Sequence, residues 1–508
     1  MDAPCTRVTK AKPLIFSIIC ASFQTHANSM KHSAKTLAVL SLPLLFTLCA
    51  CAPSHETDAR LAKKVPVSHI DSSLPVALKN GWPTSSWWHD YHDPQLNALI
   101  ERALHDAPDM AIAQQRIALA EAQAKMAEAN GGPQVNFSAD LERQKMSAEG
   151  LMGPFAFDDP AAGTTGPWYT NGTFGLTAGW NIDLWGKDSA QVSARIGKVK
   201  ADIAGMAQTR QLLASSVARL YWQWQTESAI RQQLEQIQEE QNLIVSVDKK
   251  LYQAGITNSV EGVENDINVG KTGQQLAEID GNLKEIEARL MALTNAQSTA
   301  LQLKTVALPT VVAQLPAQLD FELLARRPDL QEARWLVEST LSDVDAAKAA
   351  FYPDINIMAF LQQDALHLSD LFRHSAQQMG VTAGLTLPIF DSGRLNANLD
   401  IASAENNYSI ARYNKAVVEA VNQVAKCASQ MDTLATKNQQ QMKVLRDAGR
   451  VATLAQARLK VGIISSAQYS HAKLPALHEQ INALKLQGQW LDASIQLTSA
   501  LGGGYQVL

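Results

Sequence analysis

From Arg394 to Val461 the chain holds no proline and one glycine, Gly449, while apolar or small side chains return every three or four positions. Tyr413, Val417, Val421, Val424, Cys427, Met431 and Leu434 are followed by Met442, Leu445, Ala452 and Leu459. That alternation of intervals is the seam of a coiled coil. In the first half Val192, Ile196, Val199, Ile203, Met206, Leu213, Val217, Leu220 and Trp224 repeat it. A helix of this length reaches about 100 Å. Each then reverses at a glycine, Gly255 or Gly462, and packs back against a second helix. Cys427 falls on the seam, which makes it a packing residue rather than a reactive thiol.

Shorter patterns precede each long helix, and they occur twice in one order. Ala107-Pro108-Asp109-Met110 opens a helical stretch that ends near Pro133, before Gln134-Val135-Asn136-Phe137. Arg327-Pro328-Asp329-Leu330 opens another that ends at Pro353, before Asp354-Ile355-Asn356-Ile357. Gly175-Leu176-Thr177-Ala178-Gly179 recurs as Gly380-Val381-Thr382-Ala383-Gly384, and the Gly255 turn recurs at Gly462. Proline is tolerated in the first turn of a helix, so each Pro-Asp marks a start. Val135, Phe137 and Ala139 alternate with Asn136, Ser138 and Asp140, as do Ile355, Ile357 and Ala359 with their neighbours, so both segments are strands. A Gly-, Pro- and Asp-rich loop spans Arg143 to Thr170, and a shorter connection lies around Leu366 to Gln377. Each half thus predicts helix, strand, loop, strand, long helix, turn, long helix. Pro309 and Pro316 interrupt the stretch between the halves, which is extended.

Composition narrows the class. Among 508 residues 18 % are charged and 6 % aromatic, the mixture of long helices with modest side chains at their contacts. No stretch approaches the roughly 20 apolar residues of a spanning helix. The net charge is −5, and about −9 without residues 1–50, with no basic cluster, which excludes nucleic acid as a partner. Four of the five cysteines (Cys5, Cys20, Cys49 and Cys51) sit near the N-terminus, which excludes a disulfide framework. Lys31 and Lys35 precede an apolar run from Leu37 to Leu48, a secretory signal too short to cross a bilayer. Its end, Leu48-Cys49-Ala50-Cys51, resembles a bacterial lipobox, which implies cleavage before Cys51 and covalent diacylglycerol with an N-acyl chain there. Ala52, rather than Asp, implies sorting to the outer membrane. An upstream apolar stretch from Leu14 to Phe23 would be a redundant second signal, so Met30 is the expected initiator.

Catalytic and metal patterns are missing: there is no Gly-rich phosphate loop, HExxH, CxxC or GxSxG. His367 and His374 are isolated, and neither a cofactor nor a metal is expected. Phe390-Asp391-Ser392-Gly393 looks like an aspartic-protease turn, yet it joins a strand to a long helix, where Asp and Ser cap free N–H groups. Leu184-Trp185-Gly186-Lys187 occupies the same place in the first half and supplies no second aspartate. The chain does not read as an enzyme.

Trp87-Trp88-His89-Asp90-Tyr91-His92-Asp93-Pro94-Gln95-Leu96 resembles the opening signature of the TolC-like outer-membrane efflux lipoproteins. Leu323 to Leu330, Ala350-Phe351-Tyr352-Pro353, Pro388 to Arg394 and Ala500-Leu501-Gly502-Gly503-Gly504 resemble that family's second-half signatures. Within the family the likeness is to multidrug-resistance outer-membrane proteins of the MdtP type. The resemblance implies a mainly α fold with a small β part. Four strands per subunit would join a trimeric twelve-stranded barrel, above a periplasmic tunnel of coiled-coil helices. It implies a passive exit duct for drugs or other small toxic compounds, served by a periplasmic adaptor and an inner-membrane transporter. A duct for protein secretion, and a coiled-coil scaffold without a pore, are the alternatives. Four strands alone would leave unpaired edges in lipid, whereas three copies can close.

The expected organisation is a signal region, 1–50; an anchor and extended segment, 51–86; one efflux repeat, 87–304; a linker, 305–319; a second repeat, 320–501; and a Gly-rich tail, 502–508. Gly255, Ile256 and Thr257 with Gly462, Ile463 and Ile464 form hairpin tips expected to dock the adaptor. Glu261 and Glu264, three apart on one helical face, are candidate acids of the pore entrance. Gln468 and His471 hold the matching second-half positions and halve the possible charge.

Overall fold

Proline and glycine punctuate this chain, and many of its elements begin or end beside them. The computed structural model describes residues 81–151, 156–159, 164–296, 301–310 and 321–506. Cys51, the signal region, most of the anchor segment and the greater part of the linker lie outside the described residues. A 3-10 turn, Trp87–Tyr91, leads into α1 (Pro94–Asp106) and α2 (Pro108–Asn130). Strands β1 (Gln134–Lys145) and β2 (Trp168–Ile182) follow, then the long helix α3 (Lys187–Gln253) and its return α4 (Ser259–Thr294). The second half runs α5 (Phe321–Arg326), α6 (Pro328–Ala349), β3 (Asp354–Ala365), β4 (Gln377–Thr386), α7 (Arg394–Lys460) and α8 (Ser466–Ala500). Helices dominate, with one antiparallel sheet in the order β1-β2-β3-β4 and a two-residue ribbon in the β1–β2 connection.

The two long helices are each 67 residues, about 100 Å. Both are entered from a glycine in the left-handed region, Gly186 at φ 76° and Gly393 at φ 87°. Beside the sheet, α2 packs on α3, α3 on α6, and α6 on α7. Farther along, α4 packs on α3, α3 on α8, and α8 on α7. Each long helix thus runs through two successive four-helix rows. Helices α2 and α4 form one flank of those rows and α7 the other.

The seam expected along α7 is buried where it meets α8: Val424, Cys427, Met431 and Leu434 pack with Leu497 and Leu323. Burial pushes the Cys427 thiol up in pKa, away from a reactive thiolate. Three expected seam residues are exposed, and several others are only half-buried. Ile196, Ile203 and Met442 are 44 %, 38 % and 53 % exposed. In α3 the buried row is instead Ala194, Gly197, Ala201 and Ala204. The reason is the closeness of α6: a Cβ on Gly197 would stand 3.0 Å from Ser339 Cα, and Ser339 Oγ donates to the Ala194 carbonyl at 2.8 Å. Small residues let the backbones approach, and the branched side chains turn outward.

The largest core cluster fastens the N-terminal segment to α3. Trp87, Trp88 and Tyr91 are buried beside Leu96, Ile100, Val217, Tyr221 and Trp222. Each such side chain contributes about 1.5–3 kcal/mol. Asp93 caps α1 by accepting from the Gln95 and Leu96 amides, and its other oxygen accepts from Tyr221 Oη at 2.6 Å. Gln95 and Gln225 pin the extended stretch after α4: Gln95 exchanges bonds with both backbone groups of Lys304, and Gln225 holds Lys304 O and Val306 N.

Candidate functional site

The chemistry of this chain sits at the two ends of its long helices, in a sheet at one end and two hairpin tips at the other. In an antiparallel pair, directly opposed residues share a face, so the register sorts the sheet. Val135, Phe137, Ala139 and Leu141 of β1 stand opposite Ala178, Leu176, Phe174 and Gly172 of β2. Their neighbours on that face are Ile355, Ile357, Ala359 and Leu361 of β3, then Leu385, Ala383, Val381 and Met379 of β4. The face is apolar apart from Gln363 and Gln377, which lie opposite Phe174 and each other near its outer end, and Phe137, Val381 and Met379 are 67 %, 76 % and 68 % exposed. The opposite face carries Asn136, Ser138, Asp140, Glu142, Thr173, Gln362, Asp364 and Gln378. Polar bonds cross it from Thr173 to Asp364 at 3.3 Å and from Gln362 to Gln378 at 2.8 Å. Phe360 interrupts it by lying against Gly380, whose Cβ would meet the ring at 2.7 Å. Among the described residues β1 pairs only with β2 and β4 only with β3, which leaves two open edges.

Below the sheet, carboxylates cap the entry to each long helix. Asp391 accepts from the Gly393 and Leu395 amides, while Ser392, at φ 57°, only turns the backbone and leaves the capping to Asp391. Asp183 plays the matching part for α3. Partial burial opposes its charge, but bonds from the Ser189 amide and hydroxyl hold its pKa below the usual range.

At the far end both turns have one geometry. Gly255 donates to Tyr252 O and Ile256 to Leu251 O; Gly462 donates to Leu459 O and Ile463 to Arg458 O. These are paired Schellman closures with the glycine left-handed, φ 72° and 75°. No atom lies within 4 Å of a Cβ built on either glycine, so backbone handedness, not crowding, requires them. Ile256 and Ile463 are 68 % and 71 % exposed, whereas Thr257 and Ile464 are half-buried.

Glu261 and Glu264 are both exposed in the opening turns of α4, whose N-cap is Asn258. Gln468 is employed otherwise, in a capping box with Ser465 at the start of α8. His471 is exposed one turn later. The pairing of α3 with α8 could not be read from either hairpin alone. It is clasped by Glu240, which accepts from Ser470 Oγ at 2.5 Å and from Lys473 Nζ at 2.7 Å. Burial opposes the Glu240 charge, yet those bonds lower its pKa, and the same bond raises that of Lys473. Among the described residues no group of three or more His, Cys, Asp or Glu is placed to hold a metal, and no helix is long and apolar enough to cross a membrane.

The sequence profile of the outer membrane efflux protein family matches residues 99–296 and 321–503, and the chain belongs to that family. Among its relatives is the multidrug resistance outer membrane protein MdtQ of Escherichia coli O157:H7, 68 % identical over 469 residues, 92 % of this chain and 98 % of that protein. MdtP of Shigella flexneri is 37 % identical over 475 residues, 92 % and 96 % of the two chains, so the likeness read as MdtP type extends further toward MdtQ. The outer membrane protein VceC of Vibrio cholerae superposes with a TM-score of 0.74 at 25 % identity, over 84 % of this chain and all of that one. The CmeC outer membrane channel of Campylobacter jejuni shares the fold, with a TM-score of 0.75 at 19 % identity over 89 % and 93 %.

Proposed function

We propose that three copies of this chain close a channel in the outer membrane, the passive exit duct of a multidrug efflux system. The observation that carries it is the sheet: one face apolar except for Gln363 and Gln377, one mainly polar face, and two open edges. A strand edge cannot stand unpaired in hydrocarbon, so β1 of one copy must meet β4 of the next, apolar side toward lipid. Exposed apolar stripes follow the same flanks down the helices. Ile112, Leu119 and Met126 recur every seven residues on α2, and Val260, Val263 and Ile267 mark α4. Val444, Val451 and Leu454 mark α7. Such stripes on unpartnered flanks are helix-packing seams. The relatives named for multidrug resistance favour small-molecule cargo over secreted protein. In purified protein, a trimer that dissociates on heating and conducts ions in planar bilayers is the expected result. A monomer without conductance would overturn the reading.

Three finer parts belong to it. Cys51 carries the lipid, so mass spectrometry of the mature N-terminus should find an acylated cysteine that Cys51→Ser removes; an unlipidated start elsewhere refutes it. The tips Gly255-Ile256-Thr257 and Gly462-Ile463-Ile464 dock a periplasmic adaptor that couples the duct to an inner-membrane transporter. Gly462→Trp should then keep the trimer and lose drug resistance, and normal resistance counts against docking. Glu261 and Glu264 gather into a ring of about six carboxylates at the entrance and favour cations.

A further inference from the structure

At the end of the sheet far from the helices, the apolar face turns cationic and aromatic. Leu141 is the last apolar side chain of that face on β1; Arg143 and Lys145 follow it, opposite Thr170 and Trp168 of β2. Two contacts run along the face: Arg143 Nη1 donates to Thr170 Oγ1 at 3.0 Å, and its guanidinium lies 5.8 Å from the Trp168 ring centre. The β3–β4 connection folds over the same face, where Leu368 covers Gly172 and Phe372 packs on Phe174 at 5.5 Å. Trp168 and Phe372 remain 53 % and 83 % exposed.

Charge is sorted with care around this rim. Between Val135 and Leu141 the face holds no ionisable group, because Asp140 and Glu142 project from the other side. Asp364 lies opposite Thr173, also on the other side, and Asp370 is engaged by Arg373 at 3.1 Å. Arg143 and Lys145 therefore stand about 7 and 14 Å along the strand beyond the last apolar residue, and among the described strand residues no carboxylate shares their face. A guanidinium fork and an ammonium just above an apolar band, flanked by exposed rings, suit a phosphate carried on acyl chains. The chains lie along the band while the phosphate meets the two cations.

We propose that Arg143 and Lys145 form a binding site for the phosphate groups of an outer-leaflet glycolipid of the lipid A class. This rests on the reading that the apolar face meets lipid. The test uses the assembled full-length protein and Arg143→Gln/Lys145→Gln, in nanodiscs of phosphatidylethanolamine. Bisphosphorylated lipid A, phosphatidylglycerol and inorganic phosphate are titrated separately. Retained lipid is read by native mass spectrometry, and stability by the temperature of subunit dissociation. Lipid A should stabilise the wild type, with apparent affinity falling tenfold or more in the double variant and held in Arg143→Lys. Phosphatidylglycerol and inorganic phosphate should do little. Equal lipid A retention by wild type and double variant overturns the proposal, as does phosphatidylglycerol matching lipid A. Planar-bilayer conductance of the same samples reads the duct separately: a wild type that retains lipid A but conducts no ions breaks the duct reading and leaves this site standing.

Discussion

The α3–α4 hairpin and the α7–α8 hairpin follow the same backbone with different side chains. Lys187 and Arg394 open the long helices 207 positions apart, and Gln253 and Lys460 close them at the same separation. Both long helices enter and leave through left-handed glycines, Gly186 and Gly255 in one and Gly393 and Gly462 in the other. Their return helices then diverge. α8 lies between α3 and α7 and buries Ala, Ser and Leu positions along its length, while α4 packs on α3 with its outer face open. Residues that dictate backbone angles have been kept alike in the two halves, and residues that meet neighbours have followed the neighbour.

The comparison can be broken first at its glycines. A Cβ on Gly502 would overlap the Arg326 carbonyl oxygen, whereas none meets an atom at Gly255 or Gly462. Gly502→Ala should cost several kcal/mol through overlap and a left-handed φ, against about 1–2 kcal/mol for either tip glycine. Thermal unfolding in detergent would measure all three. Unequal losses at Gly255→Ala and Gly462→Ala would show that the two turns are not equivalent.

The clasp between the halves comes next. Glu240, with its pKa lowered, stabilises the fold above the unfolded carboxyl value near 4.3 and loses that contribution as pH falls through the lower folded value. Lys473, with its pKa raised, stabilises below about 10.4 and loses its contribution as pH rises through the higher folded value. The pair should therefore hold between about pH 5 and pH 10. A double-mutant cycle with Glu240→Gln and Lys473→Met should give about 1 kcal/mol of coupling at pH 7. Coupling that persists undiminished at pH 3 would argue against an ionic clasp.

The caps give the smallest and most diagnostic effects. Gln468→Ala breaks a capping box and should destabilise the α8 start by about 1 kcal/mol. Glu261→Ala, in exposed helix, should cost no more than about 0.5 kcal/mol. Under the entrance reading, Glu261→Gln with Glu264→Gln should reduce cation selectivity in bilayers without unfolding the trimer. Unchanged selectivity would put those carboxylates outside the conduction path.

Much of the fold was legible because its signals are local. Pro108 and Pro328 start helices, Gly255 and Gly462 close them, and the alternation at Val135 and Ile355 marks strands. The seam was legible at Val424 to Leu434, where large side chains meet α8. It failed at Ile196 and Ile203, because which side of a helix is buried depends on how closely the neighbour approaches. The strand loop was also shorter than its composition suggested, since Arg143 and Lys145 still pair with Thr170 and Trp168.

By itself the sequence determined the elements, their order, their twofold repetition and the alternation that sorts the sheet, since steric limits and side-chain period act over a few residues. Tertiary structure decided that α3 meets α8, that Gln95 and Gln225 strap the stretch after α4, and that the tail glycines thread past Arg326. It also decided that Arg143 and Lys145 share a face with the apolar band. Those outcomes rest on contacts between residues far apart in the chain, whose closeness no local pattern encodes.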